Sequence, residues 1–342
     1  MNRVLLNTLY VQTQGAYLRL DHETLKVEIE KETRLQIPLH HLGSVAVFGQ
    51  VMLSPFLIHK LAEEGKDLVY FTETGRFRAR MVSATSGNVL LRRAQHRALD
   101  DPGLQLELAR GFVLGKIKNA RYVLQRARRE EEKANLVNIL EGAITELGRL
   151  YEEASEAASM DTLRGAEGMA AATYFQNLDH LIGTEGFAFS GRNRRPPRDP
   201  TNALLSFVYA LLTNDVASAL EGAGLDPQVG YLHAIRPGRL SLALDLMEEF
   251  RPWFADRLVL SLINRKQLGL KDFEFRPGGS VLLAESGRKK VLVAYQQRKQ
   301  EELAHPLYKK KVPIGLLWHV QARLLARVLR GDLDKYVAFL PR

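Results

Sequence analysis

The spacing of apolar residues changes once along this chain, near residue 90, and that change limits the folds open to it. Before that point Leu25, Val27 and Ile29 alternate with charged residues, the period of a strand with one face in water. From about Asp101 onward, apolar residues recur every three or four positions, as in amphipathic helices. A chain of 342 residues is long enough for two domains. We therefore predict an α+β protein with a β-rich domain over 1–90 and a helical domain over 91–342.

The first 90 residues predict a small β-sandwich crossed by one helix. Two strands centred on Leu18 and Val27 are predicted to form a hairpin with D-H-E as its turn. Other apolar runs predict further strands: Leu35 to Leu39, Ser44 to Phe48, Asp67 to Phe71 and Arg76 to Val82. The helix is expected to begin after Ser54, a good N-cap followed by Pro55, and to stop at Gly65.

The second region predicts a larger, all-α domain. Six segments carry apolar residues at helical spacing: Leu104 to Arg128, Glu132 to Ser155, Leu163 to Leu181, Ala203 to Leu220, Leu240 to Ile263 and Ile314 to Leu329. A hairpin over Phe273 to Ala284 is the predicted exception, with its turn at P-G-G. The stretch Gly183 to Pro200 predicts a long mobile loop, and long loops inside compact domains are more often functional than accidental.

Charge favours a polyanionic partner. Lysine plus arginine outnumber aspartate plus glutamate 48 to 39, a net charge of +9, and each phosphate that a basic residue neutralises releases condensed counterions. Basic residues also cluster along the chain: Arg76, Arg78 and Arg80; Arg192, Arg194, Arg195 and Arg198; Lys309, Lys310 and Lys311. The absence of cysteine excludes disulfides and zinc–cysteine sites. Without a membrane-length apolar run or a signal peptide, we expect a cytoplasmic protein that binds no membrane.

Acids and a histidine in apolar segments form a candidate metal centre. Glu167 lies in R-G-A-E-G at the start of an alanine-rich helix, and His233 ends G-Y-L-H. Asp245 and Glu248 share one face of a predicted helix in L-D-L-M-E-E-F. Carboxylates together with an imidazole suit a hard or borderline divalent ion such as Mg²⁺ or Mn²⁺.

Structural roles for the same residues stay open at this point. Glu167 could be a helix N-terminal glutamate that pairs with Arg164 and the helix dipole. His233 could be a hydrogen-bonded structural histidine. Glu249 is offset by about a hundred degrees from Glu248 on a helix, so we expect it to face water or Arg251.

Three motifs, in order, carry a family resemblance. They are R-G-A-E-G-M-A-A-A-T-Y-F, R-D-P-T-N-A-L-L-S-F-V-Y and G-Y-L-H-A-I-R-P-G-R-L-S-L-A-L-D-L-M-E-E-F-R-P. Together they resemble the Cas-one (Cas1) family of CRISPR-associated proteins, the integrase subunit of spacer acquisition. S-G-N-V-L-L-R-R-A-Q, Ser86 to Gln95, resembles that family's junction between its two domains. The resemblance runs essentially end to end, and the residues within the motifs are similar to those of the type I-C branch.

The resemblance implies roles by position. Glu167, His233 and Glu248 match the family's metal ligands, and Asp245 matches a second acid close to the site. Many relatives carry aspartate in place of Glu248, so Asp245 or Glu249 could be the third ligand instead. Other residues match the DNA cleft or lie in basic stretches that we expect to contact DNA: Tyr174, Arg192, Arg194, Arg195, Arg198, Asn202, Ser206, Tyr209 and Arg236.

The implied activity is a Mg²⁺- or Mn²⁺-dependent strand transfer. In it, the 3′-hydroxyl of a short DNA fragment attacks a phosphodiester at the edge of a repeat. The implied partners are double-stranded and branched DNA, a second copy of the chain in a homodimer, and a small ferredoxin-like Cas subunit in a heterohexamer-type complex. Two alternatives remain: a stand-alone metal-dependent nuclease or RNA-processing enzyme, and a non-catalytic basic scaffold whose buried acids pair with arginines.

We expect the N-terminal domain to serve assembly and dimerisation. Its predicted strands carry no matching ligand set, since His40 and His41 are adjacent and a strand would point them to opposite faces. Catalysis, metal binding and DNA binding are therefore expected in the helical domain.

Overall fold

A computed structural model describes residues 6–81, 89–307 and 309–341. In these ranges a strand-rich N-terminal region precedes a helical region, which confirms the predicted order of secondary structure. Val82, the predicted end of the last strand, and Ser86, the start of the junction motif, lie outside the described residues.

The N-terminal region forms two four-stranded sheets. One sheet has the order β1-β5-β7-β8 and the other the order β4-β3-β2-β6. The strands are β1 (Thr8–Val11), β2 (Tyr17–Asp21), β3 (Thr24–Ile29), β4 (Glu32–Pro38), β5 (Ser44–Phe48), β6 (Met52–Leu53), β7 (Asp67–Phe71) and β8 (Phe77–Met81). The predicted strands are confirmed, and the short strands β1 and β6 are additional.

The apolar alternation sets the register of the hairpin between β2 and β3. Leu18 pairs with Val27 and Leu20 with Leu25, so their side chains share one face. Leu18 and Leu25 are fully buried in a core between the sheets. The turn lies at His22, whose φ of 53° confirms the predicted D-H-E turn.

The predicted helix is helix α1 (Pro55–Glu63). The Ser54 hydroxyl accepts a hydrogen bond from the Leu57 N–H at 3.2 Å, and Pro55 occupies the first helical position. Gly65 follows with a φ of 62°, the left-handed conformation that ends many helices. The local capping signals therefore fix both ends of α1.

The expectation that His40 and His41 point to opposite faces of a strand is wrong. They lie in a 3₁₀ turn, Leu39–His41, because β4 ends at Pro38, and their ring centroids are 4.1 Å apart. The described residues nevertheless contain no cluster of three His, Asp or Glu side chains at metal-ligand spacing in this region.

The helical region contains nine helices among the described residues. They are α2 (Val89–Arg97), α3 (Pro102–Glu130), α4 (Ala134–Glu156), α5 (Met160–Leu178), α6 (Pro200–Gly222), α7 (Ser241–Met247), α8 (Arg257–Asn264), α9 (Glu285–Gln300) and α10 (Leu317–Leu329). Helices α2 and α9 are additional to the predicted ones. Two short hairpins complete the region: the predicted one, β9 (Phe273–Phe275) with β10 (Val281–Leu283), and a second, β11 (Glu302–Ala304) with β12 (Lys311–Pro313).

The single helix predicted over Leu240 to Ile263 is wrong, because the structure breaks it. Helix α7 ends at Met247, a π-helical turn covers Arg251–Asp256, and α8 follows. Pro252 has no N–H to donate to a residue one turn earlier, which interrupts the regular pattern. In the turn, the N–H groups of Phe254 and Ala255 both donate to the Phe250 carbonyl, at 2.8 and 3.3 Å.

Helix α6 is the central helix of the molecule and joins the two regions. It is long and apolar enough to cross a membrane, but two thirds of its apolar window is buried inside the protein, as in a core helix. Phe207 of α6 packs near Phe48 of β5, with ring centroids 6.2 Å apart, and Phe48 stacks on Phe71 of β7. The first sheet is therefore covered on both faces, by the second sheet and by the helical region.

The turn between β7 and β8 gives a test of this junction. Gly75 has a φ of 88°, and a Cβ there would lie 2.3 Å from the Phe207 ring. We expect Gly75→Ala to lower the free energy of unfolding by about 3 kcal/mol, from backbone strain plus overpacking. Gly278 has the same φ with no atom within 4 Å, so Gly278→Ala should cost only about 1 kcal/mol. Thermal unfolding that shows equal losses for both variants would contradict this packing.

Candidate metal centre

The three predicted ligands come together around a lysine. Glu167 lies on α5, His233 in the loop between α6 and α7, and Glu248 just after α7. The Lys116 ammonium group, on α3, donates to Glu167 Oε1 in a short ion pair and lies 2.9 Å from Glu248 Oε2. His233 Nε2 lies 3.8 Å from Glu248 Oε1. Glu167 thus pairs with Lys116, whereas Arg164 donates to the Leu232 carbonyl at 2.8 Å.

Asp245 holds the loop that carries His233. Its two carboxylate oxygens accept from the backbone N–H groups of Tyr231, Leu232 and His233 at 2.6 to 3.0 Å. Oδ1 also lies 2.7 Å from His233 Nδ1. Because an ionised carboxylate only accepts, Nδ1 carries the hydrogen and the Nε2 lone pair faces Glu248. Asp245 therefore orients the imidazole, and both of its carboxylate oxygens are used in these hydrogen bonds.

The glycine of G-Y-L-H permits this arrangement. A Cβ on Gly230 would lie 2.8 Å from Asp245 Oδ2 and 2.7 Å from Ser241 Cβ. Only a residue without a side chain lets the backbone approach the buried carboxylate so closely.

Glu248 stays ionised despite being 2% exposed, because two cations lie beside it. Arg251 Nη1 is 3.1 Å from Oε1, and Lys116 contacts Oε2. Burial alone would raise the pKa of Glu248, but the charges of Arg251 and Lys116 hold it well below its usual value. Burial alone would lower the pKa of Lys116, and the charges of Glu248 and Glu167 outweigh that effect and raise it.

The expectation that Glu249 faces water or Arg251 is wrong. Its side chain is fully buried and accepts from the Tyr336 hydroxyl, from the Phe339 N–H at 2.5 Å and from Gln321 at 3.0 Å. Burial raises the pKa of this carboxyl to about 8, in spite of those hydrogen bonds. The side chain points to the C-terminal segment because the helix ends before it, so Glu249 is not part of the cluster.

Tyr174 and Tyr209 lie beside the cluster, around Asp256. The Tyr209 hydroxyl donates to Asp256 Oδ1 at 2.6 Å, and Tyr174 is 3% exposed. Burial raises the pKa of Asp256 to about 6. The guanidinium groups of Arg192 and Arg251 lie over the Tyr209 ring, 5.4 and 5.1 Å from its centroid. This stack connects the arginine-containing loop to the acid cluster.

Arg192 and its partners hold the loop to α6. Arg192 donates to Asn202 Oδ1 at 2.6 Å and to the Ser206 hydroxyl at 3.1 Å, and Asn202 is fully buried. The Phe189 N–H donates to Asp179, and Phe187 is buried, so much of the loop predicted to be mobile is anchored. The remaining predicted DNA contacts are exposed: Arg194, Arg195, Arg198 and Arg236.

Lys116, Arg251 and Asp256 are the residues that the sequence analysis missed. Lys116 follows Gly115 on a helix face whose neighbours are buried, so a lone charge on an apolar face was the available signal. Arg251 and Asp256 flank the proline that breaks the helix. The sequence offers no such signal for Arg251 and Asp256, whose contacts with the cluster depend on long-range partners.

The donor set of this cluster fits a divalent cation. Two carboxylates and an imidazole nitrogen with a free lone pair are ligands that Mg²⁺ and Mn²⁺ accept, and an ammonium group between the carboxylates shows that the cleft accommodates a cation. Within 6–81, 89–307 and 309–341, no three acidic or histidine side chains already stand at ligand spacing. Lys116 is the group that separates Glu167 from Glu248.

Comparisons with known proteins agree over nearly the whole chain. A family model described as CRISPR associated protein Cas1 matches residues 9–297. A CRISPR-associated endonuclease Cas1 of Moorella thermoacetica is 51% identical over 341 residues, 99% of each chain. Another of Chlorobaculum tepidum is 48% identical over 346 residues, 98% of this chain and 99% of the relative.

Solved structures share the fold. A CAS1 protein from Thermotoga maritima has a TM-score of 0.81 at 26% identity, covering 98% of this chain and all of that one. A casposase bound to integration product has a TM-score of 0.85 at 22% identity, over 97% and 92% of the two chains. A chain of a Cas6-RT-Cas1–Cas2 complex has a TM-score of 0.82 at 23% identity, over 98% of this chain and 36% of that one. The last two likenesses concern the fold alone.

Asp245 gives a test of how the site is built. We expect Asp245→Asn to destabilise the protein by about 2 to 4 kcal/mol, because an amide has one accepting oxygen for four donors. An asparagine amide can also donate to Nδ1, so ¹⁵N-histidine NMR should show His233 shifting toward the form with hydrogen on Nε2. Asp226→Asn is the matched control, since its side chain accepts from the Gln228 N–H at 2.8 Å and an amide oxygen can keep that bond. An unchanged histidine spectrum would contradict the assigned tautomer.

Proposed function

Because this chain belongs to the CRISPR-associated Cas1 family, we propose that it is a metal-dependent DNA endonuclease and integrase of CRISPR adaptation. The observation that carries the proposal is the meeting of Glu167, His233 Nε2 and Glu248 in one partly exposed cleft. Its reaction would join the 3′-hydroxyl ends of short DNA fragments to a repeat array. The type I-C assignment stays a prediction.

The residues of the cleft suit this chemistry. Glu167, His233 and Glu248 would hold Mg²⁺ or Mn²⁺, which when bound supplies Lewis acidity at the attacked phosphate and at the leaving 3′-oxygen. Asp245 keeps the imidazole in the tautomer that a ligand needs. Arg251 adds positive charge beside the cluster, where negative charge develops in the transition state.

Proposed partners follow from the surface and from the family. Arg194, Arg195, Arg198 and Arg236 are exposed cations near the cleft and suit DNA phosphates. We assign homodimer assembly to the N-terminal region, where Met52 and Phe56 are 61% and 76% exposed. The small ferredoxin-like Cas subunit remains a proposed partner, supported by the occurrence of this fold in a Cas1–Cas2 complex.

One observation favours the scaffold alternative. Glu248 is paired with both Arg251 and Lys116, which is what a non-catalytic protein with neutralised buried acids would show. Metal-dependent joining of a labelled 3′-hydroxyl duplex to a plasmid separates the integrase from this scaffold. Metal-dependent cleavage without joining would instead support a stand-alone nuclease.

Substitution of the ligands tests the metal centre. We expect Glu167→Ala, His233→Ala and Glu248→Gln each to reduce strand transfer by about 10³-fold or more, because a lost ligand removes several kcal/mol of transition-state stabilisation. Duplex binding should persist, since it depends on many phosphate contacts. The glutamine variant keeps the size of the side chain and one accepting oxygen for Lys116 or Arg251. Glu152→Ala on α4 is the control. Full activity in all three variants would refute this metal centre.

The exposed arginines give a separate test of DNA binding. Trypsin should cut after Arg194 and Arg198 in the free protein, while Pro196 protects the bond after Arg195. We expect both cuts to slow at least about tenfold with saturating branched duplex, because bound phosphates cover these side chains. Cleavage at Lys31 and Arg34, exposed near and on β4, should be unchanged. Equal cleavage rates with and without DNA would rule out a contact at this loop.

A further inference from the structure

The acid cluster is electrically balanced by side chains of the protein. Glu167 and Glu248 contribute two negative charges, and Lys116 and Arg251 contribute two positive ones. Asp245 is balanced by backbone N–H groups. Carboxylates that share a buried site repel one another unless a cation lies between them. Lys116 is 12% exposed and is the cation in that position.

A divalent ion that binds the same carboxylates must displace this ammonium group. Metal and ammonium would otherwise lie within one cluster of two acids, where like charges repel. The displaced group also needs an acceptor, because a buried ammonium without a partner is costly.

A second acceptor for Lys116 lies across a neighbouring cavity. Lys116 and Asp256 line the same cavity of about 20 Å³, with alanines and aromatic rings forming much of its wall. Asp256 is 1% exposed, and its carboxylate interacts with the hydroxyls of Tyr209 and Tyr174, which are two donors for a group that can accept about four hydrogen bonds. A lysine side chain has a flexible four-carbon stem, which it needs in order to reach the Asp256 carboxylate as a second partner.

We propose that Lys116 is an exchangeable counter-ion with two alternative binding positions. It bridges Glu167 and Glu248 in the metal-free protein, competes with the divalent ion for them, and moves to Asp256 when the metal binds. The proposal rests on the proposed function, because it assumes that Glu167 and Glu248 are metal ligands. It adds two positioning residues, Lys116 and Asp256, that set the affinity of the site for metal without binding it.

Calorimetric titration of the full chain with Mn²⁺ tests this exchange. We expect Lys116→Met to bind Mn²⁺ about tenfold more tightly, because the competing ammonium group is gone. We expect Asp256→Asn to bind Mn²⁺ about tenfold more weakly, because the displaced ammonium group then has no second carboxylate. In the double variant, Asp256→Asn should no longer change the affinity for Mn²⁺, since no lysine remains that could move to Asp256. Lys118→Met is the matched control, since Lys118 is exposed on the same helix, over the Tyr151 ring, and should leave Mn²⁺ affinity unchanged.

The outcomes separate this proposal from the metal centre itself. If Lys116→Met binds Mn²⁺ no more tightly, or if Asp256→Asn weakens binding equally in both backgrounds, the exchange is refuted while the metal centre stands. If wild type and Glu167→Gln both fail to bind Mn²⁺, the metal centre is refuted and the exchange with it. Should Lys116→Met fold poorly without metal, Lys116→Gln replaces it, and a larger rise in unfolding temperature on adding Mn²⁺ than in wild type is the same expected result.

Discussion

The break in helical hydrogen bonding at Pro252 determines how the site is arranged. Because a proline cannot donate to the preceding turn, α7 ends at Met247 and a π-helical turn follows. Between α7 and this turn, the side chains of Glu248 and Glu249 point in different directions. Glu248 points to Lys116 and Glu249 points to the C-terminal segment. Asn119 fixes the backbone there, donating to the Glu249 carbonyl at 2.7 Å. A continuous helix would have kept both acids on adjacent parts of one surface.

Four buried acids near this break are accommodated in four different ways. Asp245 is held by backbone N–H groups, Glu249 accepts from Tyr336, Gln321 and the Phe339 N–H, and Asp256 accepts from Tyr209. Of the four, Glu248 alone lies against a lysine ammonium group, with Arg251 beside its other oxygen. Backbone amides cannot leave their acceptor without unfolding the loop, whereas a lysine can change partners. This difference is the reason that we propose Glu248, and none of the other three acids, as a metal ligand.

The sequence predicted what depends on local patterns and missed what depends on distant contacts. Capping residues and apolar periodicity correctly placed α1 and most of the long helices, because both signals lie within the element itself. Helix α9 was missed because charges interrupt its apolar stripe. The orientation of Glu249 could not be predicted, because it depends on Phe339, ninety residues further along. Lys116 was missed for the same reason, since its partners, Glu167 on α5 and Glu248 after α7, lie far along the chain.

The change of periodicity near residue 90 marks a change of secondary structure, and the packing boundary lies elsewhere. The first sheet shares one apolar core with the helical region, and the second sheet closes a separate core behind it. Helix α6 spans the shared core. It carries Phe207, which packs against Phe48 of the sheet, and, two residues later, Tyr209, which holds Asp256 and lies under Arg251. Because packed interiors resist deformation, a partner bound to the N-terminal region would act on a sheet joined directly to the helix that supports the acid cluster.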